Sequence, residues 1–270
     1  MPAEDIHRNG AQRSLLIAIL VLAFGPLARS EPPPAPTATD ELKQLNDPTL
    51  LATYMSLETD WDEFKDGSQR ATWTFTGLWG WRVSDRQDWA IRFKLPLVYQ
   101  RTPLESDHRD AGGTGDAEIG IGTAFRLNDT WRTGGGVELH GDTASDSSFA
   151  ENVWRLKWGW GIAHDFTKWF SLTANADYNR SIAEEDNGRR ESFLEMTVPA
   201  TLILPHRWSV SAKYRTVLDF DNGDRWIHTL TAGVAKRLSK IPVVISTALE
   251  KPLGSGGKRY EIELTVVYYF

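Results

Sequence analysis

The chain has 270 residues, no cysteine, 12 tryptophans and a formal net charge of −6. The acidic balance argues against nucleic-acid binding, which calls for a basic surface. The lack of cysteine leaves no disulfide framework and no thiolate metal site.

Residues 1–30 read as a processing segment. Arg8 and Arg13 precede an apolar run from Leu15 to Phe24, and Ala28 and Ser30 supply the small residues that suit cleavage before Glu31. The run is too short to span a bilayer as a permanent helix. Residues 31–50 form a lead-in that opens EPPPAPTAT. Proline-rich chain cannot hold a sheet ladder and stays extended and solvated, so no chemistry is legible there.

From residue 51 to residue 270 one unit repeats: an alternating apolar–polar stretch, then a connection. Alternation with a period of two puts unlike faces on the two sides of a strand. Short connections (Ser84–Gln87, Asn128-Asp129, Asp165–Lys168, Pro205–Arg207 and Ser239-Lys240) alternate with longer ones rich in charge, Gly and Ser. The longer set is Asp62–Arg70, Arg101–Gly115, Gly141–Ala150, Asn179–Arg190, Asp219–Asp224 and Leu253–Lys258. These connections separate 12 strands, the first being Leu51–Trp61, and bring both chain ends to one side.

The aromatic residues follow the same map. Trp79, Trp81, Trp89, Trp131, Trp158, Trp160, Trp169 and Trp208 fall towards the short turns, and Trp61, Trp73, Trp154 and Trp226 beside the long loops, with Tyr99, Tyr178 and Tyr260. Two aromatic belts are what a wall crossing two wet–dry boundaries requires. A soluble sandwich also favours Trp and Tyr in strands, but gives no reason for them to cluster at strand ends.

The last 12 residues, RYEIELTVVYYF, alternate sharply. Tyr260, Ile262, Leu264, Val266, Tyr268 and Phe270 share one face; Glu261, Glu263, Thr265 and Val267 share the other. This ending resembles the closing strand of a bacterial outer-membrane β-barrel, in which a terminal Phe is typical of the signal read by the barrel insertion machinery. The resemblance implies a 12-stranded antiparallel transmembrane β-barrel in the bacterial outer membrane, with periplasmic termini, preceded by a cleaved signal peptide. Its neighbours would be outer-membrane lipid and lipopolysaccharide. The negative mean hydropathy is compatible with such a wall, because inward polar residues dilute the lipid-facing ones. In hydrocarbon an unpaired strand edge is costly, so the first strand must pair with the last.

Charged side chains in such a wall should face the lumen. Arg92 and Lys94, Arg155 and Lys157, and Lys213 and Arg215 fall near mid-height on the third, sixth and ninth strands. Glu118 and Glu138 lie between the first two groups; Asp177 and Glu195 lie between the second and third. Glu58, Asp60, Glu250, Glu261 and Glu263 gather around the closing seam. Two readings follow: opposed arcs that impose a field on a narrow aqueous path, or a salt-bridge network that fills the lumen. Twelve strands lie between small filled barrels and open porins, so size does not decide. Gly120, Gly122, Gly134 and Gly136 strip side chains from the wall and open space or ease curvature.

Other chemistries find weaker support. The loop acids Glu105, Asp107, Asp110, Asp142, Asp146, Glu184, Glu185, Asp186, Asp219, Asp221 and Asp224 offer an acidic rim for divalent cations shared with lipopolysaccharide, but no ligand spacing is complete. A hydrolase would need His140 to meet the loop residues Asp142, Ser145, Asp146, Ser147 and Ser148. His164, His206 and His228 stand alone, so neither a metal cluster nor a cofactor is expected. Gly112-Gly113-Thr114-Gly115-Asp116 lacks the Lys of a phosphate-binding loop.

That Gly-rich segment opens GGTGDAEIGIGTAFRL, which, with the YEIELTVVYYF ending, is similar to an outer-membrane channel family linked to meta-pathway phenol degradation. The resemblance implies a transporter-like barrel for small polar or amphipathic molecules, aromatic ones included. It brings no functional residues with it.

Overall fold

The computed structural model describes residues 36–103, 108–145, 149, 152–184, 190–221, 223–254 and 257–270; residues 1–30, read as a processing segment, lie outside them. A short helix α1 (Ala38–Gln44) comes first. The strands follow: β1 (Tyr54–Phe64), β2 (Gln69–Ser84), β3 (Gln87–Pro103), β4 (His108–Thr114), β5 (Glu118–Arg126), β6 (Trp131–His140), β7 (Val153–Thr167), β8 (Phe170–Glu184), β9 (Ser192–Leu204), β10 (Trp208–Asp219), β11 (Arg225–Arg237), β12 (Val243–Leu253) and β13 (Lys258–Tyr269). All pairings are antiparallel between neighbours, and β1 closes on β13 from Tyr54 opposite Tyr269 to Phe64 opposite Lys258.

Thirteen segments make a wall of 12 strands, because β4 and β5 pair with successive parts of β3. The break between them has a local cause. Gly115 donates its N–H to the Pro96 carbonyl at 3.0 Å, so that edge of Pro96 faces the break. Proline has no N–H to return. The chain detours through Asp116, whose carboxylate accepts the Thr143 and Ala144 N–H groups at 2.9 and 3.0 Å.

Burial is inverted relative to a soluble sheet. On β13 Ile262, Leu264, Val266 and Tyr268 are exposed, while Thr265, Val267 and Tyr269 are buried. On β1 Met55, Leu57 and Trp61 are exposed, while Ser56 and Asp62 are buried. A closed wall with apolar side chains outside and polar ones inside is a transmembrane barrel, the architecture of bacterial outer membranes. Among the described residues no helix is long and apolar enough to cross a membrane; the strands do so instead.

Several boundaries differ from those read in the sequence. The first strand starts at Tyr54: Leu51 lines the lumen, and Thr53 meets the wall through single contacts to Phe270 and Gly80. Asp62–Arg70 is no long loop: β1 runs to Phe64 and a tight turn leads to Gln69. Arg101–Gly115 is largely a hairpin of β3 and β4, and β8 runs well into Asn179–Arg190. Gly and charged residues suggested loops there, but ladder pairing carries them beyond the apolar band. Trp81 shares the face of Trp73 and Trp79 but is only 4 % exposed. Trp158 lies in the long-loop half of β7, edge-on to Tyr178 at 4.8 Å, rather than near a short turn. Period-two alternation sets the face of a side chain but not its height, which depends on where the strand begins.

Candidate functional site

The lumen is occupied at its short-turn mouth by the chain's own N-terminal segment. Thr37 caps α1: its hydroxyl accepts the Asp40 N–H, and the Asp40 carboxylate accepts the Thr37 N–H. Leu42, 1 % exposed, is driven into an apolar ring of the inward residues Ala235, Val244, Val267 and Tyr269. Burying a Leu in this way is worth about 2 kcal/mol.

Three ion pairs fix the segment across the barrel. Glu41 pairs with Arg237 of β11 at 2.7 Å, Lys43 with Asp165 of β7 at 2.8 Å, and Asp47 with Arg132 of β6 at 2.8 Å. Arg132 also holds Asp165 at 2.6 Å, and the Tyr269 hydroxyl donates to the Glu41 carbonyl at 2.9 Å. None of Glu41, Lys43, Asp47, Arg132, Asp165 or Arg237 stood out in the sequence as a site residue. The one available signal was the Thr-x-x-Asp capping pattern at Thr37 and Asp40, which marks a helix start.

At mid-height the strand register gathers two cross-strand rows. Arg92, Gly120, Glu138 and Lys157 stand opposite one another on β3, β5, β6 and β7. Gly120 has no side chain, so Arg92 reaches over it to Glu138, which Lys157 holds from the other side. The second row is Lys94, Glu118, His140 and Arg155. Lys94 pairs with Glu118 at 2.8 Å, and Arg155 reaches Glu191 at 2.6 Å and His140 Nδ1 at 3.0 Å. The His140 ring lies between the carboxylates, 3.4 Å from Glu118 and 3.2 Å from Glu138.

His140, Glu118 and Glu138 have ligand atoms within 4.8 Å of one another, a grouping the sequence did not suggest. Arg92, Lys94, Arg155 and Lys157 surround it, which disfavours a metal cation there. The contacts described for the His140 ring are with Arg155, Glu118 and Glu138. Ser145 accepts the Thr114 N–H at 3.0 Å, and Ser147 and Ser148 lie outside the described residues, as do Glu105, Asp107, Asp146, Glu185 and Asp186.

The remaining charges stay more open. Lys213 has no ion-pair partner among the described residues, and Arg215 stands 3.9 Å from Glu195. Asp177 lies flat over Gly159: a Cβ on that glycine would sit 1.7 Å from its carboxylate oxygen. At the closing seam Asp60 stands opposite Glu263 and Asp62 opposite Glu261, with Glu250 opposite Glu261 on the next strand. Lys258 reaches both Asp62, at 2.7 Å, and Glu261.

Two cavities lie inside the barrel. One of about 420 Å³ separates the N-terminal segment from the glycine-stripped wall of β5 to β7 and reaches Arg92, Lys157, Asp177 and Lys213. The other, about 490 Å³, is lined by Glu58, Asp60, Glu261 and Glu263 on one side and by Lys94, Lys213 and Arg215. Gln44, Leu45 and Asn46 border both. Glu118 and Arg155 line neither cavity, being taken up in the second row.

No protein-family model and no curated protein sequence matches this chain. Among solved structures it is similar to an outer membrane channel from Pseudomonas putida F1, with 15% identity, 81% of this chain and 95% of that chain covered, and a TM-score of 0.70. A KdgM porin in complex with disordered oligogalacturonate matches at 8% identity over 80% of this chain and 99% of that one, TM-score 0.53. The CymD monoaromatic hydrocarbon channel matches at 9% identity over 85% and 93%, TM-score 0.50. At these identities the likeness is one of fold: a 12-stranded barrel of the outer-membrane type.

Proposed function

We propose that this chain is a passive outer-membrane channel for small polar or amphipathic solutes, closed at its short-turn mouth by its own N-terminal segment in the state described. The observation that carries the reading is the unfilled lumen: cavities of about 420 and 490 Å³ flank that segment, and charges of both signs line them. The barrels of like fold support a channel but not a solute, since one is a porin in complex with disordered oligogalacturonate and another is a monoaromatic hydrocarbon channel. Charged walls favour polar or dipolar solutes. On this reading the short turns and both chain ends face the periplasm, the long loops face outward among lipopolysaccharide, and residues 1–30 are removed during export. Diffusion down a gradient requires neither cofactor nor catalytic residue.

The tethered α1 favours a second reading, a plugged structural barrel. Planar-bilayer recordings of the full chain and of a variant lacking residues 38–50 separate the two. A channel gives small or intermittent currents already as the full chain, and they grow severalfold in the deletion; a plugged structural barrel is silent as the full chain and conducts only once the segment is removed.

A further inference from the structure

The seam between β1 and β13 is built in an unfavourable way. Asp60 and Glu263 stand directly opposite each other, as do Asp62 and Glu261 two residues further along. Like charges opposite one another across strands destabilise a sheet. The Asp62–Glu261 rung has a remedy, because the Lys258 ammonium sits against both carboxylates. The Asp60–Glu263 rung has none: among the described residues no cation pairs with either group, and the Glu263 carboxylate accepts only the Thr265 hydroxyl, at 2.8 Å. Asp60, Glu261 and Glu263 bring carboxylate oxygens within 4.8 Å of one another. Glu58, without an ion-pair partner among the described residues, continues the row, and the open rung borders the 490 Å³ cavity.

A second feature lies at the foot of this row. Ser56 and Thr76 form a cross-strand pair, are 9 % and 7 % exposed, and line the same cavity. Among the described residues neither hydroxyl has a hydrogen-bond partner, and both side chains stand at the wall of that cavity. They supply acceptors beside Glu58 that a bound N–H donor would satisfy.

We propose that this seam is a binding track for linear alkyl oligoamines, one ammonium per rung. Lys258 demonstrates the chemistry, since a primary ammonium on an alkyl chain already bridges one rung. Inward residues on a strand recur every roughly 6.7 Å, the reach of an alkyl spacer of about four methylenes between amines. A diamine therefore meets Glu58 and the Asp60–Glu263 rung together. A single monovalent amine gains one contact only, and a compact divalent ion cannot span the two. The proposal deepens the channel reading by naming a solute class for its lumen, and it rests on that reading only for transport, not for binding.

The test is titration calorimetry on the full chain in detergent, at matched ionic strength, with putrescine, spermidine, methylammonium and Mg²⁺. Putrescine should bind at least about tenfold more tightly than methylammonium, and Asp60→Asn with Glu263→Gln should remove at least about tenfold of that affinity. Lys258→Gln frees the second rung and should raise spermidine affinity while leaving putrescine nearly unchanged. Heat-modifiable gel migration confirms that each variant is folded. Equal binding of putrescine and methylammonium, or equal displacement by Mg²⁺, would overturn the track in favour of diffuse electrostatics. So would a Lys258→Gln protein that fails to gain spermidine affinity. Oligoamine binding with no conductance in any variant would leave the track standing and sink the channel reading; conductance without binding does the reverse.

Discussion

The Arg132 guanidinium donates to the Asp47 carboxylate at 2.8 Å, joining positions 85 residues apart in the chain. Both side chains are largely buried, and the other arm of the guanidinium holds Asp165. One residue of the wall thus clamps the lumenal segment twice over, directly and through the partner of Lys43. Removing one member of a buried pair typically costs about 3–5 kcal/mol. Arg132→Ala should therefore release the segment. The chain has no native cysteine, so a single Gln44→Cys reporter gives a clean reading. Thiol labelling should be slow in the parent and faster by at least about tenfold with Arg132→Ala.

Leu42 adds the apolar half of the same anchorage. Leu42→Ala should weaken docking of α1 by roughly 2–3 kcal/mol. The midpoint of global unfolding in denaturant should barely move, because the wall's ladder is untouched. Unchanged labelling at Gln44→Cys with a lowered unfolding midpoint would show that α1 is part of the barrel's core rather than a removable piece.

Lys213 and Lys157 should respond differently to loss of charge. Lys213 has no ion-pair partner among the described residues and borders both cavities. Lys213→Glu should shift the reversal potential towards cations with little change in stability. Lys157 neutralises buried Glu138 together with Arg92. Lys157→Gln should cost on the order of 3 kcal/mol in urea unfolding, because part of that charge is left uncompensated.

The glycines of the wall divide by what a side chain would meet. At Gly136 a Cβ would lie 2.6 Å from the Ile121 carbonyl and 3.0 Å from the Gly122 Cα, backbone that cannot yield. At Gly112 the nearest atom is 3.5 Å away, an ordinary contact. Gly136→Val should prevent heat-modifiable folding or lower the unfolding midpoint strongly, while Gly112→Ala should behave as the parent. Equal behaviour of the two would show that β5 and β6 can move apart.

How much was legible beforehand follows from the range of each interaction. Which face a residue such as Ile262 or Glu263 takes is local, so alternation revealed it, and the closure of β1 on β13 followed from the cost of an unpaired edge. Pairing within the lumen is not local. Arg92 meets Glu138 only because the register places Gly120 between them, and no composition rule supplies a register. The N-terminal segment was harder still. Glu41, Lys43 and Asp47 look like ordinary solvated charges, and their partners lie from 85 to 196 residues away. A proline-rich approach and a helix of 7 residues carry no periodic signal.

The closing seam also bears on how the barrel is made. Tyr54 and Tyr269 lie at the two ends of the barrel sequence, so their strands meet only after the hairpins between them exist, and non-local pairings of this kind are the slow ones. The carboxylates of β1 and β13 are not neighbours until that moment. Their mutual repulsion therefore acts on the last event of assembly and on no earlier one. Refolding into detergent should show a late phase that quickens with salt, as screening softens the approach of the two edges, while hairpin formation proceeds at the same pace. Lys258, already at hand on the incoming edge, would be the ion that lets the final zip begin from the long-loop end.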